Sequence, residues 1–523
     1  MIPTEKSGES FFEKVQGKLN PITVRYYYGP RIEKARPSLH YLVKVLQAHV
    51  VMLAETGIIP RSVGAAILKT LVKIADAGPE ALSLDPSLED MYINLEKTLT
   101  AELGSEVAGY MPVARSRNDV EAALWRMELR EDMARLTQAV TALAKLMADR
   151  AEETAGYLMP GYTYGQQAQP TTAGHYLSAV CAELLRDAER LRDACSRMNQ
   201  SPLGAAAFAG TSWPIDRHRT AKLLGFDGLL ENTLDAVATA DYMLEALTAA
   251  AITACTLGRF AEDLYRWCAN EVGFAALSDD LIDSSTIMPQ KRNPVIVATV
   301  RAQARVVAGE VSGLLSACSV GFEASRDVTM AEGNIREAVT LVEGMTEISR
   351  AILGGVTFHP DRMAEALGIG FSQTTELADT LAREGRMPFR QAHQIVGAAV
   401  SSLFVAGKGP AELTYQFLNE TCRSLTGRPL AVSEELVRQA LDYRTGVERR
   451  MLPGGPAERE VRRMVSRQRE EADTLNDRLL EMEDRWRQGQ ALLDNAIRDV
   501  TGVGTDGAGG QARAGGSQRS TDR

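Results

Sequence analysis

Residues 284–294 read Ser284-Ser285-Thr286-Ile287-Met288-Pro289-Gln290-Lys291-Arg292-Asn293-Pro294. The segment stands between two helix-like stretches, is dense in hydroxyls, and carries one lysine, two amides and two prolines. Hydroxyls and an amide donate hydrogen bonds to a carboxylate, and Lys291 neutralises its charge. Pro289 and Pro294 keep the backbone out of regular helix so that those groups can converge. The composition suits a loop that holds an anion. It also suits a polar linker, and residue types alone leave both readings open.

Little else in the chain is arranged for chemistry. Gly204 and Gly210, in Ser201-Pro202-Leu203-Gly204-Ala205-Ala206-Ala207-Phe208-Ala209-Gly210, lack the spacing and the lysine of a phosphate loop. The six histidines (His40, His49, His175, His218, His359, His393) show no HExxH spacing, so no protein-bound metal is expected. The six cysteines (Cys181, Cys195, Cys255, Cys268, Cys318, Cys422) form no CxxC pair and read as reduced core residues of a cytoplasmic protein.

The elements that must position the loop are helices. Residues 119–155, 175–201 and 229–257 contain neither glycine nor proline, and the first run alone would make a helix of about 55 Å. Val120, Leu124, Met127, Leu136, Val140, Leu143 and Met147 recur at helical steps along it. Residues 295–308 and, across Gly344, 334–353 continue the pattern. Runs far above the usual length of about 11 to 12 residues point to a bundle. No alternation of apolar and polar residues is long enough to predict a sheet.

Before this block lie shorter apolar segments, 41–55 and 65–77, bounded by Gly57, Pro60, Gly64 and Gly78; after His359-Pro360 come shorter helices punctuated by Gly368, Gly370, Gly385, Pro388 and Gly407. The expectation is an all-α chain with an N-terminal helical domain over 1–117, a central long-helix bundle over 118–358 and a C-terminal helical domain over 359–501. That last domain includes a charged helical extension across 457–487. Residues 502–523 hold seven glycines and almost no large apolar residue, and read as a disordered tail.

With 523 residues, 45% apolar and 24% charged, the chain has the composition of a soluble globular protein with ample core. Lys and Arg number 58 against 68 Asp and Glu, a net charge of −10 that gives no electrostatic reason to bind nucleic acid or an anionic membrane. Residues 1–12 mix Glu5, Lys6 and Glu9 without an apolar core, so no signal peptide is expected there, and no run approaches the ~20 apolar residues of a membrane span.

The 284–294 segment closely resembles the signature of the fumarase/aspartase superfamily, Gly-Ser-Ser-x-Met-Pro-x-Lys-x-Asn-Pro. Residues 288–294 match every specified position and Ser285 matches the first serine, while Ser284 replaces the glycine and Thr286 the second serine. Within that superfamily the chain is similar to argininosuccinate lyases. Ala114-Arg115-Ser116-Arg117-Asn118-Asp119, Met159-Pro160-Gly161-Tyr162-Thr163 and Pro202-Leu203-Gly204 match motifs of that family, as do Ala209-Gly210-Thr211-Ser212-Trp213-Pro214-Ile215-Asp216-Arg217 and Pro388-Phe389-Arg390-Gln391-Ala392-His393-Gln394-Ile395-Val396-Gly397. The matches stand in family order from about residue 48 to residue 397.

The resemblance implies an all-α homotetramer whose central helices form a twenty-helix core, with composite active sites at subunit contacts and no cofactor. It implies elimination of fumarate from an N-substituted aspartate. Removing a proton beside a carboxylate builds a dianionic enolate-like intermediate that fixed donors must stabilise. Lys291, Asn293, Arg117 and Asn118 match the family positions for that task, with Ser116 and Thr163 beside them. Ser285 matches the position of the serine that takes the proton. The stretch 274–283 corresponds to part of a lid.

The departures concern the amine side. Family members carry histidine after the threonine of the second motif, and this chain has Tyr164; a further family histidine, in the acidic motif beginning Glu89-Asp90, appears as Tyr92. A phenol can donate a proton to a leaving amine, although its usual pKa of about 10 makes it a weaker acid near neutrality; equally, Tyr164 can simply fill space. Around Arg326-Asp327, the family's tyrosine, glutamine and lysine are replaced by Ala324, Thr329 and Glu332. Arg31 falls near an N-terminal substrate-contacting serine, where a cation would hold an extra carboxylate; the alternative is a solvated arginine in a charge run. The fumarate half is thus kept and the amine half rewritten. The expected substrate is another N-succinyl amine, an aminopolycarboxylate such as ethylenediamine-N,N′-disuccinate. The competing expectations are an ordinary argininosuccinate lyase and a non-catalytic, crystallin-like structural protein.

Overall fold

The computed structural model describes residues 19–323 and 326–502. Expectations placed on residues 1–12, on Ala324, on the side chains of Thr329 and Glu332, and on the tail beyond Gly502 fall outside the described residues. The structure is 71% helical, an all-α fold. It divides into two compact units: one from the described parts of Met1–Glu128, Asn199–Thr239 and Glu483–Arg523, the other from Leu129–Met198 and Ala240–Met482.

The first unit is organised around helix Leu39–Glu55, which is buried along most of its length. Helix Arg61–Ala77 packs beside it and is in turn covered by Met91–Leu103, and Gly64 lets the Arg61–Ala77 helix approach closely, since a Cβ there would lie 2.9 Å from the Ala54 Cβ. Leu203, Leu223, Phe226, Leu493, Ile497 and Val500 enter the same core from distant parts of the sequence. Gly489 meets Gly225 backbone to backbone: a Cβ on Gly489 would lie 2.6 Å from the Gly225 nitrogen.

The second unit is the long-helix bundle. Helix Asp241–Trp267 packs against Ala173–Met198, Val295–Ala317 and Arg326–Gly355. By length and composition this helix would pass for a membrane span, which the sequence reading did not anticipate, yet it lies largely buried as a core helix of the bundle. Gly258 sits within it because a Cβ there would come 2.8 Å from the Ala304 Cβ. Helices Thr374–Glu384, Phe389–Val405, Tyr415–Thr426 and Glu434–Leu441 enclose a separate small core.

Helix Arg117–Glu153 has the 37 residues expected, displaced by two positions. The expected helix over 229–257 does not form as one piece. Asn232 accepts hydrogen bonds from the Leu234 and Asp235 amides and starts a short helix, Thr233–Ala238, before Asp241–Trp267 begins; a side-chain cap restarts the helix without glycine or proline. The charged extension is one helix, Glu458–Thr501, of 44 residues. Among the described residues, four two-stranded ribbons, unannounced by the sequence pattern, close the connections between helices. Cys181, Cys195 and Cys422 are buried, Cys268 and Cys318 half-buried, and Cys255 exposed, so the expectation of core placement fails for Cys255, which lies on an outward face of its helix; all six are free thiols.

Candidate active site

The candidate residues fall in three segments. Ser116, Arg117 and Asn118 open helix Arg117–Glu153 in the first unit; Thr163 and Tyr164 form a hairpin tip, and Ser285, Lys291 and Asn293 a loop, both in the second.

In the first unit the helix start is pinned by Asp119. Its carboxylate accepts from the amides of Ser116 at 3.0 Å, Gly204 at 3.1 Å and Ala206 at 2.9 Å. Asp119 is fully buried, and burial pushes its carboxyl up to about 6 against the pull of those amides. Asn118 Nδ2 donates to the Ala207 carbonyl at 3.0 Å. Arg117 Nη1 lies 2.9 Å from Glu89 Oε2 and 2.7 Å from Asp90 Oδ2. Burial works against its charge, but Asp90 and Glu89 hold the guanidinium more firmly protonated than an ordinary arginine. Glu89 itself, at φ 69°, and Ala114, three residues before Arg117, at φ 63°, occupy left-handed backbone; non-glycine residues in that region cluster at functional sites.

Tyr92 is not an available acid. Its hydroxyl accepts from Arg115 Nη2 at 3.1 Å, the guanidinium lies 5.3 Å from its ring centroid, and burial pushes the phenol up. Beside it His49 is buried, with Nε2 2.8 Å from the Val113 carbonyl; burial and then the charge of Arg115 push it down to about 3, so it is neutral. Arg31 is paired and partly exposed: its Nη2 lies 3.0 Å from Glu121 Oε1, and both side chains are about one quarter exposed. It follows a π-helical turn, Val24–Tyr28, a distortion frequent at functional sites.

In the second unit, strands Leu158–Thr163 and Gln166–Thr172 pair antiparallel, with Thr163 opposite Gln166. The two residues between them, Tyr164 at φ 54° and Gly165 at φ 74°, both take the left-handed conformation that a tight hairpin turn of matched twist requires. Tyr164 is fully exposed at the tip.

Asp283 pairs with Asn293 and Ser284 with Arg292, so a minimal ribbon closes the loop between them. Inside it Ser285 Oγ accepts from the Met288 amide at 3.1 Å and the Ile287 amide at 3.4 Å. The Lys291 amide donates to the Met288 carbonyl at 3.1 Å, and Asn293 Nδ2 to the Asp283 carbonyl at 3.3 Å. Among the described residues Lys291 makes no ion pair. Ser285 is thus a hydroxyl held by two amides on the same loop as an uncommitted cation. No hydrogen bond joins this loop to the hairpin tip among the described residues, and no cluster of His, Cys, Asp and Glu there is suited to a metal. Glu89 and Asp90, the partners that fix Arg117, were legible only as an acidic pair, and Asp119 only as the end of a motif.

Residues 21–309 match the family model described as lyase, and residues 371–448 the model described as argininosuccinate lyase C-terminal. The argininosuccinate lyase of Methanothermobacter thermautotrophicus is 38% identical over 79% of this chain and 89% of its own. Among solved structures, EDDS lyase with bound formate and an EDDS lyase variant with bound fumarate each superpose with a TM-score of 0.82 at 30% identity, over 93% of this chain and 97% of theirs.

Proposed function

Because the chain belongs to the argininosuccinate lyase family of the fumarase/aspartase superfamily and is a carbon–nitrogen lyase, we propose that it reversibly eliminates fumarate from an N-succinyl amine other than argininosuccinate, an aminopolycarboxylate of the ethylenediamine-N,N′-disuccinate type. The observation that carries this reading is the loop in which the Ser285 hydroxyl accepts two amides while Lys291, among the described residues, makes no ion pair.

Ser285, having lost its own proton to solvent, takes as the alkoxide the proton from the carbon beside the substrate carboxylate and returns to the hydroxyl. An alkoxide is a costly base near neutrality, and the Ile287 and Met288 amides, already aimed at Oγ, lower that cost without reorganisation. The electron pair moves onto the carboxylate, giving an aci-carboxylate dianion. Lys291, Asn293, Arg117 and Asn118 hold it, with Ser116 and Thr163 beside them. Collapse of the dianion forms the double bond of fumarate and breaks the carbon–nitrogen bond, and Tyr164 gives its proton to the leaving amine.

The hydrogen-bonded sets stand on separate segments, and Tyr164 is fully exposed on its hairpin; these features support composite sites assembled in a homotetramer. Six free thiols support a reduced, cytoplasmic setting. Tyr164 and Tyr92, where the family has histidines, favour an amine other than arginine; the 38% identity to an argininosuccinate lyase favours arginine. Fumarate absorbance during incubation with argininosuccinate, ethylenediamine disuccinate and other N-succinyl amines tests the proposal. Release from an aminopolycarboxylate, abolished by Ser285→Ala, is expected; preferred turnover of argininosuccinate, or equal activity of the Ser285→Ala variant, would overturn it.

A further inference from the structure

The hairpin that carries Thr163 and Tyr164 is not held evenly along its length. Pro160 and Pro170 face each other and supply no amide hydrogen, and immediately beyond them the register slips, so that Tyr162 pairs with Gln167. Gly161 sits at this bulge, where a Cβ would lie 2.9 Å from the Gln169 carbonyl oxygen. The tip is therefore joined to its base through a bulge flanked by two residues that cannot donate.

The base is anchored from several sides. His175 Nδ1 lies 2.9 Å from Thr171 Oγ1 and its Nε2 3.0 Å from the Gly454 carbonyl, while Arg450 Nη1 donates to the Pro170 carbonyl at 3.0 Å. Beyond the bulge, among the described residues 162–167, Gln167 is the one residue whose side chain hydrogen-bonds outside the hairpin; within the hairpin it also meets the Tyr162 side chain. Its Nε2 donates to the Ala366 carbonyl at 2.8 Å, at the end of helix Pro360–Leu367. On its other edge lies Gly370, where a Cβ would come 2.6 Å from Gln167 Oε1. Glycine at 370 is thus what leaves the amide room to reach Ala366.

We propose that Gln167 is a positioning residue: wedged between the Ala366 carbonyl and Gly370, its amide sets the direction in which the Thr163–Tyr164 tip leaves the fold. The consequence for catalysis rests on the reading that this tip serves the elimination. Gln167 touches no reacting atom in that reading; it acts through Thr163 and Tyr164. A tip displaced by about 1 Å is enough to cost about 100-fold in rate.

Gln167→Met keeps length and packing but removes the donor, and Gly370→Ala pushes on the same amide from the far side. Hydrogen exchange of the amides of residues 162–166 and the kinetics of fumarate release are measured in the wild type, both single variants and the double variant. Each single variant is expected to speed exchange at residues 162–166 about tenfold without speeding it in the long helices. Each should lower kcat about 10- to 100-fold with KM within about threefold. The double variant should be no worse than Gln167→Met alone, because the two changes act on one contact. Unchanged exchange at 162–166 in Gln167→Met, or additive losses in the double variant, would overturn the proposal. A wild type that releases fumarate from no N-succinyl amine sinks the functional reading instead, and the exchange measurement still decides the role of Gln167.

Discussion

Asp90 faces Arg117 at 2.7 Å with one carboxylate oxygen and caps helix Met91–Leu103 with the other, accepting from the Ile93 amide at 2.9 Å. One side chain therefore couples the position of a helix end to the position of the cation assigned to the substrate. Glu89 adds a second acceptor, and its left-handed backbone turns both carboxylates toward the guanidinium.

The two duties of Asp90 separate on substitution. Asp90→Asn keeps an oxygen for the Ile93 amide and loses the charge facing Arg117; KM for the N-succinyl amine should rise about tenfold, equivalent to ~1.4 kcal/mol, with the melting temperature little changed. Asp90→Ala loses the cap as well and should cost a further ~1 kcal/mol of stability. Steady-state kinetics and urea titrations of the two variants distinguish the roles.

Asp119 makes the stability of the first unit pH-dependent. Its folded-state carboxyl is pushed up to about 6, against about 4 in an unfolded chain. Between those values the folded form binds the extra proton, so this group's contribution is largest below about pH 4 and falls as pH rises through about 6, by up to ~3 kcal/mol. Unfolding free energies measured from pH 4 to pH 7 should show this decline, and Asp119→Asn should flatten it. The variant should also be less stable at pH 4, because its amide group cannot accept all three backbone hydrogens that Asp119 accepts.

In the proposed mechanism Tyr164 sets function against stability. A tyrosine at φ 54° occupies backbone that asparagine or glycine fills with less strain. Tyr164→Asn should therefore raise the stability of the hairpin by up to ~1 kcal/mol while lowering kcat. Tyr164→Phe should leave stability unchanged and lower kcat about 100-fold if the phenol is the proton donor. Thermal melts and pH–rate profiles of both variants read the two effects separately; full activity of Tyr164→Phe removes the phenol from the mechanism.

The long helices were legible because glycine and proline are absent from them and apolar residues recur at helical steps. What escaped were features set by side-chain hydrogen bonds. Asn232 restarts a helix in a stretch where composition shows no break. The 158–172 hairpin contains Pro160, Gly161 and Pro170 and alternates too poorly to announce a strand; its turn is fixed by Tyr164 and Gly165, a pair outside the usual asparagine–glycine signal. Ser285, Lys291 and Asn293 were legible as residue types, whereas the amides aimed at Ser285 Oγ depend on the turn at 285–288. Gln167 and Gly370 carried no signal at all, since their relation is a contact between segments about 200 residues apart.

The backbone contact of Gly489 with Gly225, together with Leu493, Ile497 and Val500 in the first core, imposes an order in time. Those residues follow all of the second unit in the sequence. A ribosome adding roughly 5–20 residues per second takes about 20–70 s to travel from Glu128 to Leu493. For that interval the Leu39–Glu55 helix lacks part of its covering, so the bundle can be completed before the unit that precedes it, and a cell must shelter that open apolar face from its neighbours until the late helix arrives.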